Sequence, residues 1–294
     1  MNNYTIILIL GLSAALSYGI ADFFGAKASK RLGPITAAFC VQVITTLLYV
    51  MGYFVLMRHM PDMSASALMY TIGGAILMAI GTGTLYMAFE TGPVSLVSPL
   101  SAAYPLVTAL VGLLFFHAQL GLLQTGGILL VVVGIMATAG IFNVTKTDRR
   151  LSKGPLLALC TTFTWGLSYP LLDHAVSAAG WQSTTLIEFC LITVILGIML
   201  WFRRRKELVT RQLMQQTFRN VFVIGAGAIL LVAFLAVNAG LAYDAAAGSI
   251  IVTISSAYPA ITILLALRHF KEHIEKLALL GAGLTVTGVV LLMT

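Results

Sequence analysis

Residues 16–20 read Leu-Ser-Tyr-Gly-Ile, and 147 positions later residues 163–167 read Phe-Thr-Trp-Gly-Leu. Both stretches follow the order hydrophobic, hydroxyl, aromatic, glycine, hydrophobic. Residues 101–105 read Ser-Ala-Ala-Tyr-Pro, and residues 255–259, 154 positions later, read Ser-Ser-Ala-Tyr-Pro. Repetition at a nearly fixed spacing indicates that one structural unit occurs twice. We therefore predict two units, covering residues 1–143 and 144–294.

The composition is that of a chain immersed in lipid. Of the 294 residues, 59% are hydrophobic and only 9% are charged, and the mean hydropathy is +0.98. A soluble domain carries charge on about a quarter of its residues, so this chain lacks the charge to cover a water-facing surface. A lipid-facing surface needs no such cover, and an integral membrane protein is therefore expected.

Apolar runs long enough to cross a bilayer recur through both units. About 20 helical residues span the hydrocarbon core, and backbone in lipid must satisfy its hydrogen bonds within its own segment, which favours helices. The first run lacks a basic leader and a cleavage site, so it is expected to be a retained helix. The predicted helices cover residues 4–25, 35–57, 67–89, 94–116, 121–142, 154–175, 182–202, 220–243, 247–268 and 276–294.

The expected fold class is all-α integral membrane, with ten transmembrane helices in two inverted five-helix repeats around a central cavity. Five is odd, so the second repeat enters the membrane from the opposite side, which is typical of secondary carriers. The loops after helices 1, 3, 5, 7 and 9 then share one side, called the basic side here, and hold 16 of the 17 lysines and arginines. The positive-inside rule places these loops in the cytoplasm and both termini outside a cytoplasmic (plasma) membrane.

The repeated pairs Tyr18-Gly19, Trp165-Gly166, Tyr104-Pro105 and Tyr258-Pro259 make the chain resemble the drug/metabolite transporter superfamily, specifically its EamA-type ten-helix carriers. Two further features support the resemblance over the whole chain. One is the short turn at residues 90–93, and the other is the glycine-rich last helix of each repeat.

The resemblance implies a basket of ten helices in which helices 1, 3, 4, 6, 8 and 9 line the cavity and helices 5 and 10 lie at the edge. It also implies transport, mostly export, of amino acids, other metabolites or toxic compounds. This chain departs from the family pattern in three respects. The turn after helix 4 has Ala118 where the second repeat has the usual acid, Glu272; helix 7 has Glu188 where a basic residue is common; and the loop charges place the termini outside.

Glu188 is the most informative candidate residue because it lies inside a predicted helix. An ionised carboxylate in hydrocarbon is costly, so it should face the interior, pair with a cation or be protonated. It is expected either to couple transport to protons, to bind a substrate amine, or to serve as a structural carboxyl bonded to a neighbouring helix. Asp22, one turn before Lys27, is the second proton-coupling candidate, with an interfacial ion pair to Lys27 as the alternative.

The remaining cavity candidates are polar or aromatic residues within predicted helices, and an aromatic wall with a few hydrogen-bonding groups suits amphipathic solutes and amines. They are Tyr18, Gln42, Tyr86, Tyr104, Trp165, Asn238 and Tyr258. Proline removes a helical hydrogen bond and kinks a helix. Hinges are therefore predicted at Pro105, Pro170 and Pro259, with a static bend as the alternative.

No metal site, cofactor, nucleic-acid partner or enzymatic activity is predicted. The histidines fall at helix ends and form no cluster with the cysteines, and no nucleotide-binding loop is present. The expected partners are a small-molecule substrate and the lipid bilayer, with a monomer as the expected form and a homodimer as the alternative. A flippase for a lipid-linked sugar and a sugar-phosphate or nucleotide-sugar carrier are the closest rival functions, ahead of a membrane-embedded enzyme or a scaffold.

Overall fold

A computed structural model describes residues 3–58, 60–116, 121–138, 153–203, 211–243, 251, 254–272 and 276–292. Every regular element in these residues is a helix, which confirms the all-α prediction. The helices are α1 (Asn3–Leu32), α2 (Pro34–Met57), α3 (Ala65–Thr91), α4 (Val94–Ser101), α5 (Tyr104–Phe116), α6 (Leu122–Thr138), α7 (Lys153–Ala179), α8 (Trp181–Arg203), α9 (Arg211–Phe218), α10 (Val221–Tyr243), α11 (Tyr258–Phe270) and α12 (Lys276–Leu292).

Six segments of the described chain are long and apolar enough to cross a bilayer, and two shorter apolar helices accompany them. The six are Thr5–Leu32, Pro34–Met57, Ala65–Thr91, Val94–Val111, Trp181–Arg203 and Val221–Ala239. Large apolar side chains such as Leu16, Phe163 and Leu264 point outward. Several such helices with an apolar exterior make this a multi-pass membrane protein.

The first helix extends well past its predicted end at residue 25. It continues to Leu32, and Gly33 then turns the chain with a φ of 88° before α2 begins. The ammonium of Lys27 lies over the rings of Phe23 and Phe222, at 4.7 and 4.8 Å from their centroids. Lys27 stays helical because its long side chain lies along apolar surface and its charge rests on aromatic faces.

The predicted helix at residues 94–116 is in fact two helices. Helix α4 ends at Ser101 and α5 begins at Tyr104, with Ala102 and Ala103 between them in a turn. Pro99 and Pro105 flank the break, and a proline at position 105 cannot donate to the carbonyl one turn earlier.

The short helix α9 was not predicted, because it lies in the basic loop that follows α8. The ends of the predicted helices 121–142 and 276–294, and residues 247–250, 252 and 253 of the predicted helix 247–268, lie outside the described residues.

Helix α1 packs mainly against α10 and α11, whereas α7 packs mainly against α3 and α5. Helices α2 and α8 contact each other, and α6 packs along α12. Small and hydroxyl-bearing residues fill the interior, as is usual where lipid provides no hydrophobic drive for helix association. Buried threonines tie helices together; Thr45 donates to the Gly227 carbonyl at 3.0 Å and Thr162 to the Leu100 carbonyl at 2.6 Å.

Candidate functional site

Aromatic side chains from four helices meet where α5 and α11 begin. The ring of Tyr18 on α1 lies 5.8 Å from that of Tyr258, the first residue of α11. Tyr104, the first residue of α5, stacks on Tyr169 of α7 with centroids 4.6 Å apart and planes inclined by 13°. Trp165 lies edge-on to Tyr104 at 6.0 Å. We call Tyr18, Tyr104, Trp165, Tyr169 and Tyr258 the aromatic cluster.

Glycines permit the close helix contacts that bring this cluster together. A Cβ on Gly19 would lie 2.9 Å from the Tyr258 carbonyl oxygen, and a Cβ on Gly166 would lie 2.8 Å from the Tyr104 carbonyl oxygen. Hydroxyl groups bridge the same contacts: Thr262 donates to the Gly19 carbonyl at 3.3 Å, and Thr108 donates to the Gly166 carbonyl at 2.9 Å. The Tyr18-Gly19 pair therefore packs against the start of α11, and the Trp165-Gly166 pair packs against the start of α5. Both of these helices begin with a tyrosine and a proline.

Glu188 is buried within α8, with 7% of its surface exposed. Tyr18, Tyr49 and Tyr169 all lie within electrostatic range of its carboxyl group. Within the described part of the chain, no hydrogen bond or ion pair reaches this carboxyl. It therefore lies among aromatic rings as a buried acid to which a cation or a proton could bind.

Asp22 has a different environment, and the ion pair with Lys27 considered above is not formed. Its Oδ2 accepts a hydrogen bond from the Ser98 hydroxyl of α4 at 2.8 Å, whereas the ammonium of Lys27 lies on the rings of Phe23 and Phe222. Ser98 is fully buried. Its hydrogen bond with Asp22 therefore joins α1 to the short helix α4 in the interior of the protein.

Three other cavity candidates have buried contacts of their own. The Gln42 amide donates to Thr46 within α2 at 3.2 Å, and the Asn238 amide donates to the Phe234 carbonyl within α10 at 2.9 Å. Tyr86 is buried between α1 and α3, and its hydroxyl oxygen would lie 2.9 Å from a Cβ on Gly25. The structure thus groups Tyr18, Tyr104, Trp165 and Tyr258, with Glu188 nearby, and the cavity role of Gln42, Tyr86 and Asn238 stays a prediction.

The predicted hinge residues occupy two kinds of position. Pro105 and Pro259 are the second residues of α5 and α11, directly after interruptions of the helical backbone. Pro170 lies inside α7, beside Tyr169. The role of these prolines in motion stays a prediction.

Two residues of this region were not singled out from the sequence. Tyr169 lies one turn after Trp165 on the same helix, and this i, i+4 spacing could have indicated it. Ser98 carried no such signal, because its partner Asp22 is 76 residues away.

The indole nitrogen of Trp165 is buried and has no hydrogen-bond partner in the described residues. Among those residues, no group of three or more His, Cys, Asp or Glu side chains is arranged to hold a metal ion.

These features define a multi-pass membrane protein whose helices surround aromatic and carboxyl side chains. The chain belongs to the EamA-like transporter family, whose profile matches residues 5–140 and again residues 152–294. It is thus a transporter of the drug/metabolite transporter superfamily. The family points away from an enzyme.

Individual relatives agree with this membership. An uncharacterized transporter from Archaeoglobus fulgidus is 21% identical over 292 residues, which are 97% of each chain. An uncharacterized protein from Methanocaldococcus jannaschii is 33% identical over 129 residues, which are 44% of this chain and 93% of its own. One protein of known crystal structure superposes with a TM-score of 0.64 at 15% identity, covering 98% of this chain and 96% of its own. At that identity the structural likeness concerns the fold alone.

Proposed function

We propose that this transporter is a secondary carrier that exports small organic solutes, such as amino acids, related metabolites or toxic compounds, by alternating access. The observation that supports the proposal best is Glu188, a buried acid beside Tyr18, Tyr49 and Tyr169. A carboxylate among aromatic faces binds an amine through its charge and through cation–π attraction. Solutes with an amino group are therefore the favoured substrates, and the unpaired indole N–H of Trp165 supplies a donor for a polar group.

Alternating access is proposed to use two inverted repeats of five helices, residues 1–143 and 144–294. Equivalent contacts support this division: Thr262 bonds to Gly19 as Thr108 bonds to Gly166, and these residues match at the spacings of 154 and 147. Thr46 and Thr193, also 147 residues apart, share a hydrogen bond of 2.9 Å. The family profile matches each half, and the Methanocaldococcus jannaschii protein matches 44% of this chain over 93% of its own length.

Two carboxyl groups on either side of the aromatic cluster support proton coupling. Glu188 lies seven residues after the start of α8, and Asp22 lies ten residues before the basic-side end of α1. At about 1.5 Å per residue, the two acids are about 10 and 15 Å from opposite faces. In this scheme a proton bound at Glu188 exchanges with the substrate amine, and facilitated diffusion without a proton is the alternative.

The site is proposed to be enclosed by one chain, so that a monomer is the working unit and a homodimer is the alternative. The basic side is proposed to face the cytoplasm across the plasma membrane, because it holds 16 of the 17 lysines and arginines. The proposal requires a small-molecule substrate and the bilayer, and it invokes no cofactor and no nucleic acid.

The test is untargeted mass spectrometry of the medium around cells that overexpress the wild type, Glu188→Gln or Asp173→Asn. Asp173 is an exposed carboxylate at the end of α7, so its variant controls for the loss of one acid. An amine that accumulates outside with the wild type and Asp173→Asn, but falls about tenfold or more with Glu188→Gln, supports the proposal. Equal accumulation with all three proteins supports export but contradicts a role for Glu188. Changed lipid-linked sugars, with no soluble solute changed, would replace export by the flippase function.

A further inference from the structure

Glu272 caps the start of α4. It follows Lys271, whose φ of 52° ends α11, and its carboxylate faces the first turn of the short helix. One oxygen accepts the N–H of Val94 at 2.8 Å, and the other accepts the N–H of Ser95 at 3.1 Å and also the Ser95 hydroxyl. The first amides of a helix have no partner within the helix and carry partial positive charge, so a carboxylate is well suited to them.

Lys30 brings a third element to the same point. Its ammonium lies 3.8 Å from a Glu272 oxygen and 4.2 Å from the centroid of the Phe270 ring. Helices α1 and α4 belong to the first half of the chain, whereas Glu272 and Phe270 belong to the second. The contact therefore joins the two halves at the end of the molecule where the basic loops lie.

Helix α4 connects this contact to the interior. It has eight residues, it is buried, and the turn at Ala102 and Ala103 separates it from α5. One turn past Ser95, Ser98 bonds to Asp22. A tilt of α4 about the turn at Ala102 would break the bonds of Glu272 and uncover the Asp22 region from the basic side.

We propose that Glu272 is a latch that holds the carrier closed on the basic side, and that opening toward that side requires its release from Val94 and Ser95. This inference rests on the proposed alternating access. The latch is one-sided by sequence, because the first half has Ala118, which lies outside the described residues, at the position that corresponds to Glu272.

The test uses a buried cysteine as a reporter of opening. Cys40, Cys160 and Cys190 are all free and are replaced by alanine, and Ser101→Cys is introduced. Ser101 is fully buried and lies seven residues past Val94, about 10 Å along the helix from the latch. A membrane-impermeant methanethiosulfonate reagent is added to the basic side of vesicles, and the labelling rate is measured without substrate.

Glu272→Gln should raise the labelling rate about tenfold, the factor expected for the loss of a charge-assisted hydrogen bond. Ser95→Ala removes only the hydroxyl partner and should raise the rate about threefold. Asp173→Asn, the matched loss of one exposed carboxylate, should leave the rate unchanged.

The latch is refuted if both latch variants remain folded, as judged by their melting temperatures, and are labelled at the same rate as Asp173→Asn. Because labelling needs no substrate, raised labelling here together with a failed export experiment would contradict the proposed export of amines and leave the latch standing.

Discussion

At the scale of the residue, the partner of Asp22 distinguishes two roles for this acid. An ion pair with Lys27 would make it an interfacial group, but its carboxylate bonds to Ser98, and the Lys27 ammonium lies on two phenylalanine rings. Asp22 therefore belongs to the interior, where its hydrogen bond fixes α4 against α1. The Asp22–Ser98 hydrogen bond and the contact of Lys27 with the phenylalanine rings are therefore expected to contribute independently to the free energy of unfolding.

A double-mutant cycle on the free energy of unfolding in detergent tests this independence. Asp22→Asn and Ser98→Ala should couple by about 1–2 kcal/mol, because contacting members of one hydrogen bond are not additive. Asp22→Asn and Lys27→Gln should be additive within about 0.5 kcal/mol. The reverse result, strong coupling to Lys27 and none to Ser98, would restore the interfacial ion pair.

At the scale of the element, glycine determines how closely the helices of the aromatic cluster approach. Gly19 and Gly166 face the backbone carbonyls of Tyr258 and Tyr104 directly, whereas a Cβ on Gly52 or Gly283 would meet nothing within 4 Å. The four glycines thus differ in surroundings although all lie inside helices.

Gly166→Ala and Gly19→Ala should each lower the free energy of unfolding by about 1–3 kcal/mol, because the added methyl group forces two helices apart. Gly52→Ala and Gly283→Ala serve as controls and should be neutral or stabilising by up to about 1 kcal/mol, since alanine is the better helix former. Thermal unfolding in detergent measures all four variants. Equal effects at the four positions would show that the helix contacts at Gly19 and Gly166 are looser than described.

At the scale of the whole molecule, the proposed topology divides the charges between two unlike faces. The basic side has the Glu272–Lys30 contact and the cations over Phe23, Phe222 and Phe270. On the other side, the turn between α2 and α3 has Arg58, the one cation that the loop count places there. Such an imbalance fixes how a multi-pass chain is oriented in its membrane.

Labelling of single cysteines in intact cells tests this orientation in the chain without native cysteines. Asp62→Cys, in the exposed turn before α3, should react with an impermeant reagent, whereas Arg219→Cys, just after α9, should react only after the cells are permeabilised. Both positions are exposed, so a difference in rate reports the side of the membrane. The opposite pattern would place the basic side outside and contradict the proposed orientation.

The sequence by itself determined that this is an all-helical membrane protein, where most of its long helices lie, and which aromatic residues pair with glycine. These properties follow from local hydropathy and from recurrence along the chain. Only the tertiary structure decided that Ser98 is the partner of Asp22 and that Glu272 caps α4. The partners of these contacts are 76 to 178 residues apart, and the rotation of packed helices, which no local pattern specifies, brings them together.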